Sequence, residues 1–239
     1  RRISRVRKVM APKNGYEDWE ITQMLSNALG YPMNYKHASE IMDEVAQLTP
    51  TFKGVSYEKL DKLESIQWPC NDEFPEGTPT MHVDEFVRGK GKFFITEYVP
   101  TVEKVNGKFP LIMTTGRILA HYNVGAQTRR TKNSEWHDED LIEIHPHDAE
   151  ERGINERDWV GINSRSGDTV LRAKITDKVQ PGVVYTTFHH PVSGANVITT
   201  DNSDWATNCP EFKVTAVQVT KVTQPSNWQS KYQKFSEKQ

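Results

Sequence analysis

A dense group of polar side chains follows a short apolar run in the segment 110–130. Leu111–Met113 stops at Thr114-Thr115-Gly116, and behind it come Arg117, His121, Tyr122, Asn123, Gln127, Thr128, Arg129 and Arg130. Backbone N–H groups and guanidinium groups in such a loop converge on an anion, or on a ring system with several donors and acceptors. The pattern predicts a buried strand that leads into a ligand-binding loop, with a solvated turn as the alternative.

Other polar groups stand at the ends of later predicted strands. They are Phe188-His189, Asn196, Asp204 and the run Pro210–Lys213. Strand-end loops of a small barrel meet at one rim, so these groups and the 110–130 loop can surround one large ligand. Arginine and lysine suit phosphate oxygens, while asparagine and glutamine suit a ring that bears donors and acceptors. A nucleotide-bearing cofactor fits this mixture better than a metal ion or a peptide.

The spacing of histidines and cysteines argues against a metal site. The two imidazoles of His145-Pro146-His147 do not have the i, i+4 spacing of a helical metal site. His189-His190 ends a predicted strand, where neighbouring side chains point to opposite faces, so at most one of them is functional. Cys70 and Cys209 lack a CxxC partner, which favours a reduced, cytoplasmic protein.

Composition argues against two classes of partner. The 239 residues carry a formal net charge of -2 and a hydrophobic fraction of 36%, with a mean hydropathy of -0.70. Apolar runs are far too short for a membrane span. The small net charge creates no overall electric field that would attract nucleic acid. We therefore expect neither a membrane nor a nucleic-acid partner. The basic arm 1–13, together with Thr128–Lys132, keeps a non-enzymatic nucleic-acid-binding module as an alternative.

Helical periodicity dominates residues 1–66. It predicts helices over 16–29 and 38–48, and a shorter one over 56–63. Asn14 is the predicted cap of the first helix, and Gly30 is its predicted stop. We expect the apolar stripes of the first two helices to pack in a core.

Short strands and turns dominate the rest of the chain. Residues 67–108 are interpreted as an extended connection and hairpin, with a strand over 92–99 and a hairpin between 102–105 and 109–113 around Asn106-Gly107. Six strands are predicted in the domain 109–222, at 109–113, 141–144, 159–163, 170–176, 183–188 and 212–222. With one helical turn over 147–152, they favour a small closed β-barrel. Residues 223–239 form a polar tail, expected to lie over a surface.

Several ordered motifs resemble a known family. TTGRILAHYN followed by GAQTRR, then HPHDAEERGI, VVYTTFHH and NVITTD, are similar to the C-terminal domain of the molybdopterin oxidoreductase superfamily. HYNVGAQTRRT and the tail motif PSNWQSKYQ narrow the resemblance to the catalytic (alpha) subunit of molybdenum- or tungsten-containing NAD-dependent formate dehydrogenases. The resemblance implies an α+β fold. In it, a helical N-terminal segment (1–66), which belongs to an upstream molybdopterin oxidoreductase domain, precedes a double-psi β-barrel that binds molybdopterin dinucleotide.

The resemblance also implies a set of cofactor-binding residues. They are Thr115, Gly116, Arg117, His121, Tyr122, Asn123, Thr128, Arg129, Phe188, His189, Asn196 and Lys213. The implied cofactor is bis-molybdopterin guanine dinucleotide with Mo or W, and 4Fe-4S clusters, FMN and NAD are expected in the rest of the complex. The family's metal ligand, its catalytic arginine and its iron–sulfur ligands are absent from this sequence. No catalytic or metal-binding residue is therefore predicted here, and we expect them in an upstream part of the same subunit.

The implied function is formate oxidation to CO2, with electrons passed through iron–sulfur clusters to NAD. The expected partners are the upstream part of the catalytic subunit, iron–sulfur and flavin- or NAD-binding subunits, and formate. A nitrate reductase-like or other bis-molybdopterin oxidoreductase is the alternative within the superfamily. The family's usual Gly-Asp before the second barrel strand is here Arg157-Asp158, a departure confined to a turn.

Overall fold

The computed structural model describes residues 1–236 and divides the chain into two compact units, Arg1–Ile95 and Thr96–Gln239. Residues 237–239, the end of the predicted polar tail, lie outside the described residues. The predicted domain boundaries stay predictions.

The first unit consists of an antiparallel strand pair and three helices. The strands are β1 (Arg2–Ser4) and β2 (Ser65–Gln67), and the helices are α1 (Asp18–Ala28), α2 (Ala38–Leu48) and α3 (Tyr57–Leu63). A small core holds Val55, Leu60, Ile66 and Cys70. The three helices predicted from periodicity are therefore confirmed, with small shifts at their ends.

The start of α1 differs from the prediction. Glu17, and not Asn14, is the N-cap, and its backbone N–H donates to Glu20 Oε2 at 2.7 Å in a capping box. The predicted stop at Gly30 is confirmed, because its φ of +86° is a left-handed conformation that glycine adopts at little cost.

The apolar stripes of α1 and α2 do not form a core, which corrects the prediction. Helix α1 has no buried residue, with Leu25 60% exposed and the C-cap residue Leu29 78% exposed, and α2 buries only Ala46. Periodicity shows which face of a helix is apolar but does not show what covers it. In this unit the core forms instead around β2, α3 and the turns beside them.

Residues 92–105 form no regular element. Phe93 and Ile95 are 99% and 100% exposed, and the predicted strand over 92–99 is wrong. The predicted hairpin is only partly right. Asn106 and Phe109 exchange backbone hydrogen bonds at 3.0 and 3.1 Å, but residues 102–105 add no strand ladder to that turn. A strand needs a neighbour to satisfy its backbone groups, and sequence alternation does not supply one.

Six strands close into a barrel in the second unit, as predicted. They are β3 (Leu111–Gly116), β4 (Leu141–Ile144), β5 (Trp159–Asn163), β6 (Asp168–Ile175), β7 (Val183–Thr187) and β8 (Thr215–Lys221). Their order around the barrel is β3-β7-β4-β6-β5-β8. Alternate side chains point inward and form one buried core, which includes Met113, Ile142, Ile162, Val184 and Val217.

The strand directions bring six strand ends to one rim. Strands β3 and β7 are parallel, and β8 and β4 run antiparallel to them. Strand β6 is parallel to β4 and antiparallel to β5. The C-terminal ends of β3, β5 and β7 therefore share a rim with the N-terminal ends of β4, β6 and β8. We call this the upper rim.

Three helices accompany the barrel: α4 (Pro146–Glu151), α5 (Ala195–Ile198) and α6 (Asn227–Ser236). Helix α4 confirms the predicted helical turn, whereas α5 and the helical structure of the tail were not predicted. Arg157, before β5, has a φ of +67°, a conformation that glycine favours, which accounts for the glycine usual there. Among the described residues, no helix is long and apolar enough to cross a membrane.

Candidate functional site

The segment 117–130, which we call the cradle loop, leaves the upper rim at the end of β3. There the buried Thr115 hydroxyl donates to the Phe212 carbonyl at 3.0 Å, and Lys213 Nζ donates to the Thr115 carbonyl. These bonds join the end of β3 to the chain that enters β8. Gly116 is required by close contact, because a Cβ at this position would lie 2.4 Å from Tyr185 Oη.

Arg117 begins the cradle loop with an exposed guanidinium group. Its Nη2 donates to Asn123 Oδ1 at 3.4 Å, and its Cζ lies 5.6 Å from the centroid of the Phe188 ring. Tyr122 and Asn123 are exposed as well. The loop therefore presents a cation, an amide and an aromatic ring at the rim.

Buried contacts hold the second half of the cradle loop in shape. His121 Nε2 donates to the His137 carbonyl at 2.7 Å, so its Nδ1 accepts from the Thr128 hydroxyl at 2.9 Å when the ring is neutral. The Thr128 hydroxyl oxygen also accepts the Tyr122 backbone N–H at 3.2 Å. His121 thus supports the loop from inside.

His189 and His190 are both buried, with exposures of 0% and 8%. Strand β7 ends at Thr187, so strand alternation does not reach them and the predicted split between opposite faces is wrong. Asp140 accepts their backbone N–H groups at 3.2 and 2.8 Å, together with the Thr187 hydroxyl. The chain that leaves β7 is therefore fixed to the start of β4.

Asp140 is ionised despite its burial. Burial alone would raise the pKa of this carboxyl group, but hydrogen bonds from His190, Thr187 and Ser193 outweigh burial and lower the pKa to about 2. Asp140 Oδ1 lies 3.3 Å from His190 Nδ1. This carboxylate supports the site indirectly, because its hydrogen bonds go to the chain that follows β7.

Two cavities open at the upper rim. The larger has a volume of about 830 Å³, and its lining includes Glu103, Arg165, Asn196, Thr200 and Phe212. The smaller, of about 330 Å³, is lined in part by Phe188, His190, Asn196 and Trp228. Asn196 lines both, so the two cavities meet at α5. The larger volume is in the range of small-molecule and cofactor sites.

Three cations of the upper rim lack carboxylate partners, whereas Arg165 pairs with Glu103 at 2.9 Å. Arg117, Arg129 and Lys213 form no ion pair with a carboxylate anywhere in residues 1–236, whereas a cation on the barrel wall such as Lys174 pairs with Glu143 at 2.8 Å. Positive charge that no carboxylate cancels favours an anionic ligand.

The fold brings the predicted ligand-binding residues to one place. All those implied by the resemblance lie on the end of β3, on the cradle loop, on the chain after β7, or just before β8. The exposed members are Arg117, Tyr122, Asn123, Arg129, Asn196 and Lys213. The buried members are Thr115, His121 and His189, and the half-buried ones are Gly116, Thr128 and Phe188.

Asp204, also singled out in the sequence, serves its own loop. Its carboxylate accepts the backbone N–H groups of Ala206, Thr207 and Cys209 at 2.7–2.9 Å. Hydrogen bonds from the Thr207 side chain and backbone, and then from Cys209, lower its pKa to about 2. Its bonds therefore define a tight surface loop.

Sequence reasoning missed three buried polar residues of this unit: Glu103, Asp140 and Gln229. Glu103 accepts from Arg165 Nη1 and from the Ala216 backbone N–H, both at 2.9 Å. A carboxylate or an amide in a sequence normally indicates exposure. No local signal distinguishes them, because their partners are distant along the chain.

Three of the six cations in the basic arm 1–13 pair with carboxylates of the first unit. Arg7 pairs with Asp61 at 3.3 Å, and Lys8 pairs with Glu17 at 2.6 Å. Cations that are already paired have less to offer to nucleic-acid phosphates. These pairs weaken the nucleic-acid alternative.

One metal-like cluster lies on α4, at the opposite end of the barrel. Ligand atoms of His147, Asp148 and Glu151 lie within 4.8 Å of one another. Asp148 Oδ2, however, already accepts the Gly182 backbone N–H at 2.8 Å. This cluster is more simply a helix end that holds a turn.

Part of the chain matches a known domain family. Residues 111–216, from the start of β3 into β8, match the family described as Molydopterin dinucleotide binding domain. Acetylene hydratase from Pelobacter acetylenicus has the same fold, with a TM-score of 0.61 and 13% identity, over 87% of this chain and 33% of that chain. The predicted fold class, helices followed by a double-psi β-barrel, is confirmed.

The similar sequences are formate dehydrogenase subunits. The chain is 39% identical over 228 residues to the F420-dependent formate dehydrogenase subunit alpha of Methanocaldococcus jannaschii, over 93% of this chain and 34% of that relative. It is 32% identical over 226 residues to formate dehydrogenase H of Escherichia coli, over 92% of this chain and 32% of that relative. The chain thus spans about a third of the length of the curated relatives it matches. These matches support the resemblance to molybdopterin oxidoreductases, and NAD dependence stays a prediction.

Proposed function

We propose that this chain binds the guanine dinucleotide portion of a bis-molybdopterin guanine dinucleotide cofactor, as part of a formate-oxidising enzyme. The observation that carries the proposal is the group of cations without carboxylate partners in the described chain, Arg117, Arg129 and Lys213, at a rim that also carries a cavity of about 830 Å³. Guanidinium and ammonium groups bind pyrophosphate oxygens well. The family match of residues 111–216 supports the same ligand.

In this proposal exposed and buried residues have different roles. The exposed cations bind phosphate oxygens, and the amides of Asn123 and Asn196 bind the edges of a purine or pterin ring. Tyr122 and Phe188 supply flat apolar faces near the rim. The remaining predicted residues shape the backbone that carries these groups: Thr115, Gly116, His121, Thr128 and His189.

The chain's own contribution is to bind and orient the cofactor. The bound metal–pterin group, with Mo or W, supplies the two-electron chemistry that converts formate to CO2 and a proton. Formate is the proposed substrate because relatives named as formate dehydrogenases match more than nine-tenths of the chain. The catalytic residues are proposed to lie in an upstream part of the same subunit.

The proposed function also includes an electron acceptor. The sequence resemblance predicts NAD, reached through 4Fe-4S clusters and a flavin on partner subunits. The alpha subunits of Methanocaldococcus jannaschii and Methanococcus maripaludis are named F420-dependent and are 39% and 36% identical to this chain. We therefore propose F420 as the acceptor ahead of NAD. A cytoplasmic location stays a prediction.

Replacing Arg117 tests the cofactor site. We expect Arg117→Ala, made in the native polypeptide that carries this sequence, to lower the guanine nucleotide and metal content by about tenfold or more, because a charge-assisted contact to phosphate is lost. Formate oxidation should fall in parallel. The measurements are guanine nucleotide released by acid and metal by mass spectrometry.

Lys178→Ala is the matched control, since it removes an exposed cation from the β6–β7 turn at the opposite end of the barrel. Its cofactor content should equal that of the wild type. With the cofactor removed, both variants should unfold at the wild-type temperature, because Arg117 is exposed and its side chain makes one long hydrogen bond of 3.4 Å. Full nucleotide and metal content in Arg117→Ala would refute its place in the site.

A further inference from the structure

A single buried imidazole joins two points of the cradle loop. The Ile118 backbone N–H donates to His189 Nε2 at 3.2 Å, and His189 Nδ1 donates to the Asn123 carbonyl at 2.5 Å. The His189 side chain is fully buried, with 0% exposure. We call this pair of bonds the histidine staple.

The two partners dictate where the proton of this ring lies. A backbone N–H can only donate, so Nε2 must be an unprotonated acceptor. A carbonyl oxygen can only accept, so Nδ1 must carry the hydrogen. The staple therefore requires a neutral imidazole in one tautomer. Both ring nitrogens are hydrogen-bonded to backbone groups of the protein.

His189 is held in position through both its backbone and its ring. The His189 backbone N–H donates to Asp140 Oδ1 at 3.2 Å, and its ring lies 5.6 Å from the ring of His121. Gly125, with a φ of +71°, lets the loop approach closely, since a Cβ there would lie 2.5 Å from the His189 carbonyl oxygen. The cradle loop therefore packs closely against His189, whose position is fixed.

The stapled positions flank the groups proposed to bind the dinucleotide. Arg117 directly precedes Ile118, and its guanidinium group donates to the side chain of Asn123, whose backbone carbonyl is the second stapled position. Asn123 has a φ of +48°, a left-handed conformation that asparagine adopts more readily than most residues. The bond from His189 Nδ1 to its carbonyl oxygen holds the backbone in that conformation.

We propose that His189 is a positioning residue that fixes the spacing of Arg117 and Asn123 through the histidine staple and does not itself contact the cofactor. This role differs from the ligand contact that the sequence resemblance implied. The inference rests on the proposed function for what the cradle loop binds. The staple itself is a property of the chain, so the two are tested separately.

Two substitutions each keep one half of the staple. In His189→Asn the amide nitrogen occupies the place of Nδ1 and donates to Asn123, while the Ile118 N–H loses its acceptor. In His189→Gln the amide oxygen reaches the place of Nε2 and accepts from Ile118. We expect the backbone amide of Ile118 to exchange about tenfold faster in His189→Asn than in His189→Gln.

The measurement is hydrogen exchange by mass spectrometry on peptides that cover 117–124 in the native polypeptide. His145→Asn is the control, because His145 Nδ1 only accepts the His147 backbone N–H at the start of α4, on the opposite end of the barrel. Exchange over 117–124 should then equal that of the wild type. Equal exchange in both His189 variants would overturn the staple, since loss of packing alone does not distinguish the two amides.

Guanine nucleotide content, measured on the same samples, separates this inference from the proposed function. Both His189 variants should retain several-fold less nucleotide than the wild type, and unchanged content in both would overturn the positioning role. A wild-type protein without guanine nucleotide would instead overturn the proposed function, and the difference in Ile118 exchange would remain.

Discussion

Some cations on this barrel pair with carboxylates and others do not. On the wall, Lys174 and Lys221 lie 2.8 and 2.7 Å from carboxylate oxygens. At the upper rim Arg117 and Lys213 have no such partner within residues 1–236. Exposed ion pairs contribute little to stability, so the main effect of pairing is to cancel charge. These two cations therefore keep their charge, and this is the physical ground for placing a dinucleotide beside them.

Asp140 makes stability depend on pH. The pKa of its carboxyl group is about 2 in the folded protein, below the ordinary value of 3.8. A lowered carboxyl pKa stabilises the fold above the ordinary value, and this contribution disappears as the pH falls towards the folded-state pKa. We expect Asp140 to account for about 2 kcal/mol of the unfolding free energy lost between about pH 5 and pH 2, measured by denaturant unfolding across that range.

Asp140→Asn checks the source of this dependence. The amide cannot accept all the hydrogen bonds that the carboxylate accepts, so the variant should lose about 2 kcal/mol at pH 7 and show a flatter acid profile. Asp138→Asn removes the same charge from an exposed neighbour and should stay within about 0.5 kcal/mol of the wild type. A wild-type acid profile in Asp140→Asn would assign the effect to other groups.

Helix α6 completes an edge of the barrel. Gln229 Oε1 accepts the Val170 backbone N–H at 3.1 Å, and its Nε2 donates to the carbonyls of Val170 and Val192 at 2.8 and 3.0 Å. Strand β4 pairs with β6 from Arg172 onward and does not reach Val170. The glutamine amide therefore takes the place of the missing strand.

Gln229→Leu keeps the size of this side chain and removes its hydrogen bonds. Buried backbone groups of Val170 and Val192 are left without partners, so we expect a loss of about 2 kcal/mol in unfolding free energy. Trypsin should also cleave faster after the exposed Lys231 of α6. Gln224→Leu, at an exposed position, should change neither quantity. Wild-type cleavage of Gln229→Leu would show that other contacts hold α6.

The identity of the electron acceptor concerns the assembled enzyme. We expect the complex purified with this chain to reduce F420 with formate, and to do so faster than it reduces NAD⁺, because relatives of 36–39% identity are named F420-dependent. Reduction of NAD⁺ alone would restore the prediction made from the sequence. A nitrate reductase-like enzyme would instead oxidise a reduced dye with nitrate and leave formate untouched.

Local patterns were enough to predict the barrel strands and the polar group at their ends. Alternating apolar residues and turn residues lie next to one another in the chain, so β4 and β5 were predicted with their observed bounds. The same patterns failed at residues 92–99 and on α1, because alternation and periodicity do not show whether a partner covers the element.

Only the folded structure distinguishes the polar residues that can contact a ligand from those whose hydrogen bonds are made inside the protein. Arg117 and His189 look equally suited to a ligand in the sequence, yet Arg117 is exposed and His189 is bonded to the backbone of a loop 71 residues away. Glu103 likewise meets Ala216 across 113 residues. A buried polar group is stable only with its partners, and those partners are set by the path of the whole chain.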